Sequence, residues 1–125
     1  MTARVQNAGL ARITAALIAL SWWLQWGTGS GAAASATAVT TTSTTEARVA
    51  ATAAQGTTTV TNDKMVLTGT ITAAGTRAIT EVGAFDAVGS GSPPTGGSMD
   101  IYADFSVINL VTGDAIAFTL NTTFS

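Results

Sequence analysis

"MDIYADFSVINL", residues 99–110, carries the clearest periodicity in the chain and sets the fold class. Met99, Ile101, Ala103, Phe105 and Val107 alternate with Asp100, Tyr102, Asp104 and Ser106. Successive side chains of a strand point to opposite faces, so an apolar set at period two predicts a strand with one face inward. Downstream, "VTGD" (111–114) reads as a tight hairpin turn, and "AIAFTLNTTF" then sets Ile116, Phe118, Leu120 and Phe124 inward. Upstream, "VGSGSPPTGGS" (88–98) is a long loop, because Pro93 and Pro94 cannot donate to a ladder.

The same reading extends toward the N-terminus. "AITEVGAFDA" (78–87) is a strand with Ile79, Glu81, Gly83 and Phe85 on one face and Thr80, Val82, Ala84 and Asp86 on the other. "KMVLTGTITA" (64–73) sets Met65, Leu67 and Ile71 against Lys64, Thr68, Thr70 and Thr72. "EARVAATAA" (46–54) alternates Val49, Ala51 and Ala53 with Arg48 and Thr52, and "TTTVT" (57–61) is β-prone. Asn62 and Asp63, and Ala74 to Thr76, supply turns. Strands of this length at short intervals predict a mainly β fold: an antiparallel β-sandwich over 46–125 with jelly-roll or Greek-key connections.

Before that domain the pattern differs. Leu10, Ile13, Leu17 and Leu20 fall at helical spacing, with Arg4, Asn7 and Arg12 elsewhere on the wheel, which predicts an amphipathic helix over roughly residues 4–20. From Ser21 the period becomes two, placing Trp22, Leu24 and Trp26 on one strand face and Trp23 and Gln25 on the other, and Gly27 ends the run. The tryptophans suit either core packing or an anchor at a subunit interface, where Trp is over-represented. Residues 28–45, rich in Thr, Ala and Gly, read as an extended arm or linker. The chain thus divides into an apolar attachment segment (1–27), an arm (28–45) and the β domain (46–125). The start has the outline of a secretory signal, but Gln6, Asn7 and Gly9 separate Arg4 from the apolar run, and Ile13 to Leu24 is too short for a bilayer span.

Composition excludes more than it assigns. Charged residues make up 10% of the 125, against roughly 25% in an average soluble protein, and the formal net charge is −2. Five scattered basic residues (Arg4, Arg12, Arg48, Lys64, Arg77) cannot neutralise a row of phosphates, so no nucleic-acid partner is expected. With no histidine or cysteine, the common general base, the thiolate nucleophile and thiolate zinc ligands are missing. Asp100 and Asp104 share a strand face at a spacing that suits a carboxylate pair, yet nothing else marks a sugar cleft. Asn62 with Asp63, and Gly113 with Asp114, look like turns rather than calcium loops. Gly27, Gly29 and Gly31 follow a strand but open no helix, so they are not a dinucleotide fingerprint, and Glu46 is no ribose ligand. No enzyme activity, cofactor, metal or small-molecule substrate is expected. Glu81 raises a packing question. If its face is the core it must pair, with Arg48 or Arg77 as partner; alternatively Val82 and Ala84 face the core and Glu81 meets a neighbouring subunit.

Several stretches in one order also carry a resemblance. "WGTG" with a small-residue arm, "ARVAAT", "TNDKMVLTGTIT", "ITEVGAFDA" and "VINLVTGDAIAFTLNTTF" resemble small virion structural proteins of tailed bacteriophages, in which ITE-x-G-x-F-(D/N)-A and (V/I)IN-x-x-x-GD-x-(I/L)-x-x-T recur. The resemblance runs from Trp26 to Phe124. It implies a β-sandwich module on the capsid as a decoration or cement protein, often a trimer, or a part of the tail apparatus. It brings no catalytic residues and implies a virion location after assembly in the host cytoplasm. Implied partners are further copies of the chain and the major capsid protein or another virion protein. The apolar residues before Trp26 depart from such a subunit, which makes Leu10, Ile13, Leu17, Trp22, Trp23 and Trp26 the expected interface. A tail or baseplate component and a secreted or membrane-tethered adhesin are the alternatives.

Overall fold

The computed structural model describes residues 1–39 and 45–125. Among the described residues one helix, α1 (Asn7–Ile18), precedes six strands: β1 (Trp22–Gly27), β2 (Val49–Gly56), β3 (Lys64–Thr72), β4 (Arg77–Phe85), β5 (Met99–Leu110) and β6 (Ala115–Thr123). The strands form one antiparallel sheet in the order β5-β4-β1-β2-β3-β6. Its bend lies in β2, whose residues 49–51 pair with β1 and whose residues 52–56 pair with β3. The sheet therefore rolls until β5 and β6, joined by the turn at 111–114, lie at its two edges and the structure is nearly closed.

The core fills the interior of the roll. Trp22, Leu24 and Trp26 meet Met65, Leu67 and Ile71 of β3, Ile79, Val82 and Ala84 of β4, and Phe118 and Leu120 of β6. Alternation in β1 and β3 is the direct cause, since every second side chain of each strand points inward. Phe118 anchors two aromatic contacts, edge-on to Trp26 at 6.4 Å and tilted to Phe105 at 6.1 Å.

Three expectations change. First, residues 1–27 are not a separate segment: β1 hydrogen-bonds to both β2 and β4 at the centre of the sheet. Second, β4 does not keep one parity. The register shifts between Ile79 and Glu81, so Ile79 joins Val82 and Ala84 in the core while Glu81, Gly83 and Phe85 turn to the outer face. Such an irregularity re-aims side chains without ending the strand. Third, the β-prone stretch 57–61 is a loop, because the Asp63 carboxylate accepts from the backbone N–H groups of Thr58, Thr59 and Val60 and from the Thr58 hydroxyl. A carboxylate that gathers several local N–H groups competes with any ladder for them.

The helix is shorter than predicted and turned on its axis. Its buried residues are Leu10 and Thr14, Ile13 and Leu17 are half-buried, and Leu20 lies beyond its end, exposed. Thr14 is buried because its hydroxyl donates to the Asn62 carbonyl at 2.7 Å and accepts from Gln55 Nε2 at 2.8 Å. With no side-chain N-cap, α1 is held by this packing on β2 and β3 rather than by its own ends. Of the expected arm, residues 28–39 and 45 are described, and residues 40–44 lie outside the described residues.

Candidate functional site

The outer face of β1 and β4 is covered by the arm and by loop 86–98, and three polar clusters fasten them. The first centres on Glu81, fully buried, whose carboxylate accepts from the Gly29 N–H at 3.2 Å and from the Tyr102 hydroxyl at 2.7 Å. Next to it Asp104 accepts from the Gly31 N–H at 2.9 Å, and Thr80 donates to the Gly29 carbonyl. Gly31 has φ +71, a conformation that costs other residues steric strain, so glycine lets the arm turn there. Burial first, and the Glu81 carboxylate next, push the Tyr102 hydroxyl above its usual range. The arm is thus tied to the sheet by carboxylates of β4 and β5.

The second cluster centres on Arg48. Its guanidinium donates to Gln25 Oε1 at 2.8 Å and to the carbonyls of Ala87 and Gly96, and it lies 3.7 Å from the centroid of the Phe85 ring. Gln25 in turn donates to the Pro94 carbonyl. Burial holds the Arg48 pKa below its usual value, with Asp86 opposing. In the third cluster Arg77 pairs with Glu46 at 2.9 Å, and Glu46 also accepts from the Ala74 N–H and the Trp26 indole. Burial pushes the Glu46 carboxyl up, but the Ala74 N–H, its own backbone N–H, Trp26 and Arg77 together hold it below the usual carboxylate value.

The arginines expected beside Glu81 are therefore committed elsewhere, Arg77 to Glu46 and Arg48 to the 86–98 loop. Asp100 and Asp104 do not act as a pair: Asp104 holds the arm, whereas burial and Asp86 push the Asp100 carboxyl up. Among the described residues no three His, Cys, Asp or Glu side chains gather into a group able to hold a metal ion, and no helix is long and apolar enough to cross a membrane.

Of the expected interface, Trp22 and Trp26 are 5% and 1% exposed and belong to the core. Trp23, on the opposite face of β1, pairs with Phe85 and Ala50 and is half-buried. Leu10 is buried on the inner side of α1, with Ile13 and Leu17 of the same helix half-buried. A folded chain presents little of this set to a partner.

What it does present is the seam between its two edge strands. Among the described residues no ladder joins β5 to β6. Between them lies a cleft of about 480 Å³ with Val82, Ile101, Phe105, Phe118 and Leu120 in its lining. Past its far end Val107, Ile108 and Val111 are exposed. At the start of β5 the Met99 N–H donates to the Thr37 carbonyl of the arm, and elsewhere an edge strand is the kind of place where another chain can add backbone hydrogen bonds. Sequence reading missed this place, because which strands become edges depends on pairings between distant residues. Val107, Ile108, Leu110 and Val111, broken by Asn109, are its one local signal. Comparison of the chain with protein-family models, with curated proteins and with solved structures found no match.

Proposed function

We propose that this chain is a structural subunit of a bacteriophage virion, a decoration or cement protein that stabilises the head shell by bridging neighbouring capsomers as a homo-oligomer, in the form of a trimer. The observation that carries the proposal is the division of its surface. The buried ionisable groups Glu46, Arg48 and Glu81 fasten the arm and loop, while the seam and the Val107, Ile108 and Val111 patch remain open. A protein of this kind acts by the area it buries against other protein, and reactive groups are not required. The motif order from Trp26 to Phe124 supports a virion setting, and the low charge suits a surface covered by neighbours.

The sandwich-type module implied by the resemblance belongs to the same proposal. The neighbour order β4-β1-β2-β3 is the order of a Greek key, and β2 divides the sheet into two halves that face each other, which supports it. Attachment runs through the sheet edges rather than through Trp22 and Trp26.

Labelled copies on purified particles, located by electron microscopy, test the assignment. Many copies spread over the head are the expected result. A few copies confined to the tail would assign the chain to the tail apparatus, and absence from particles would overturn the virion reading in favour of an adhesin.

A further inference from the structure

Charge is distributed unevenly along this chain. Residues 1–39 contain Arg4 and Arg12 and no acid, whereas residues 86–125 contain Asp86, Asp100, Asp104 and Asp114 and no base. Both arginines are exposed, and among the described residues neither makes an ion pair. Three of the aspartates accept backbone N–H groups: Asp86 from Ser98, Asp104 from Gly31 and Asp114 from Val111. Asp100 is the fourth, and among the described residues it has no hydrogen-bond or ion-pair partner. It lies at the helix end of the β5–β6 seam, with Leu17, Trp22, Thr122 and Phe124 around it.

The seam accordingly combines an apolar floor, two edge strands that no ladder joins and, in the adjoining pocket at its helix end, one carboxylate without a hydrogen-bond or ion-pair partner among the described residues. That chemistry fits an extended segment with a cation among apolar residues. Residues 1–6, "MTARVQ", have these properties. All six are exposed, none is in a helix or strand, Gln6 has extended dihedrals, and Arg4 sits between Ala3 and Val5. The segment leaves its own subunit at Asn7, about 15 Å along α1 from the Leu17 end that borders the seam.

We infer that the seam binds the N-terminal segment of a second copy of this chain, with Arg4 on Asp100 and the backbone of residues 1–6 pairing along the open edges. The contact joins two different surfaces of the chain, so it closes either by reciprocal exchange between two copies or by continuing into a ring or chain of subunits. It does not depend on the virion reading, and it is tested on the free protein.

Sedimentation equilibrium of the full chain is the first measurement. Arg4→Glu and Asp100→Arg should each weaken self-association roughly fivefold, as expected for losing one partly exposed ion pair, and the double variant should recover it. Arg4 is exposed and lies outside every helix and strand, so its substitution leaves folding intact even if Asp100→Arg does not. Because the chain has no cysteine, an equimolar mixture of Val5→Cys and Asn121→Cys chains gives an independent readout, in which the mixed disulfide dimer should exceed the two-to-one ratio over each like-with-like dimer that random pairing produces. A chain that stays monomeric at every concentration, association insensitive to both charge reversals, or no excess of the mixed dimer overturns the inference. So does charge coupling seen only in the melting temperature of a monomer, which would place the segment on its own seam.

Discussion

Replacing Glu46 by Gln removes one charge from the end of the arm while keeping the shape of the side chain, and the cost is set by three hydrogen bonds. Oε1 accepts from the Ala74 N–H and from Arg77 Nε, each at 2.9 Å, and Oε2 accepts from the Trp26 indole at 3.3 Å. A glutamine keeps one acceptor oxygen. Aimed at Ala74 and Arg77, it turns its own NH2 toward the indole N–H, donor against donor. Hydrogen bonds to a charged group contribute about 1.5–3 kcal/mol and neutral ones about 0.5–1.5 kcal/mol. Three weakened bonds, discounted because the Arg77 side chain is 20% exposed, give a loss of about 2 kcal/mol. For a domain of this size that lowers the melting temperature by roughly 6–10 °C.

The loss must also depend on pH. The folded carboxyl has a depressed pKa, so its stabilising effect is complete above the unfolded value near 4.5 and fades as pH falls through the lower folded value. The parent and Glu46→Gln should therefore differ most at neutral pH and converge on acidification. Urea denaturation followed by tryptophan fluorescence reads this directly, since Trp26 donates to the substituted group. Equal stability at pH ~7, or the same deficit at pH ~7 and at pH ~3, would refute the argument.

Other substitutions probe the remaining fastenings. Thr14→Val should cost about 1–2 kcal/mol and accelerate hydrogen exchange through α1, because the Asn62 carbonyl and Gln55 lose their partner. Asn62, at φ +58, should tolerate Gly but lose about 1–2 kcal/mol as Val, measured by thermal denaturation. Tyr102→Phe removes a hydroxyl from the buried Glu81 carboxylate and should speed exchange of the Gly29 amide while the β2 and β3 amides stay protected.

The strands were legible wherever one face is dry and the other wet. Trp22, Leu24 and Trp26, and Met65, Leu67 and Ile71, point inward as their alternation predicts. β4 misleads because a register shift between Ile79 and Glu81 reverses the parity, and nothing local marks that shift. Residues 57–61 mislead because propensity takes no account of a carboxylate a few residues on that claims their N–H groups. That Arg77 pairs with Glu46 was not legible, because the two ends of this contact are brought together by the return of β4 to β1. The seam is the least legible feature, since it exists only once the strand order is known.

The place of β1 in the sheet has a consequence for how the chain is made. Its tryptophan-rich strand precedes every other strand in sequence, yet one of its two neighbours is β4, residues 77–85. During synthesis the strand waits, apolar and half-paired, until more than fifty further residues have left the ribosome. Pairings so distant in sequence fold slowly and leave a nascent chain open to association in the interval. A chain truncated before Arg77 retains that exposure permanently and should accumulate in the insoluble fraction.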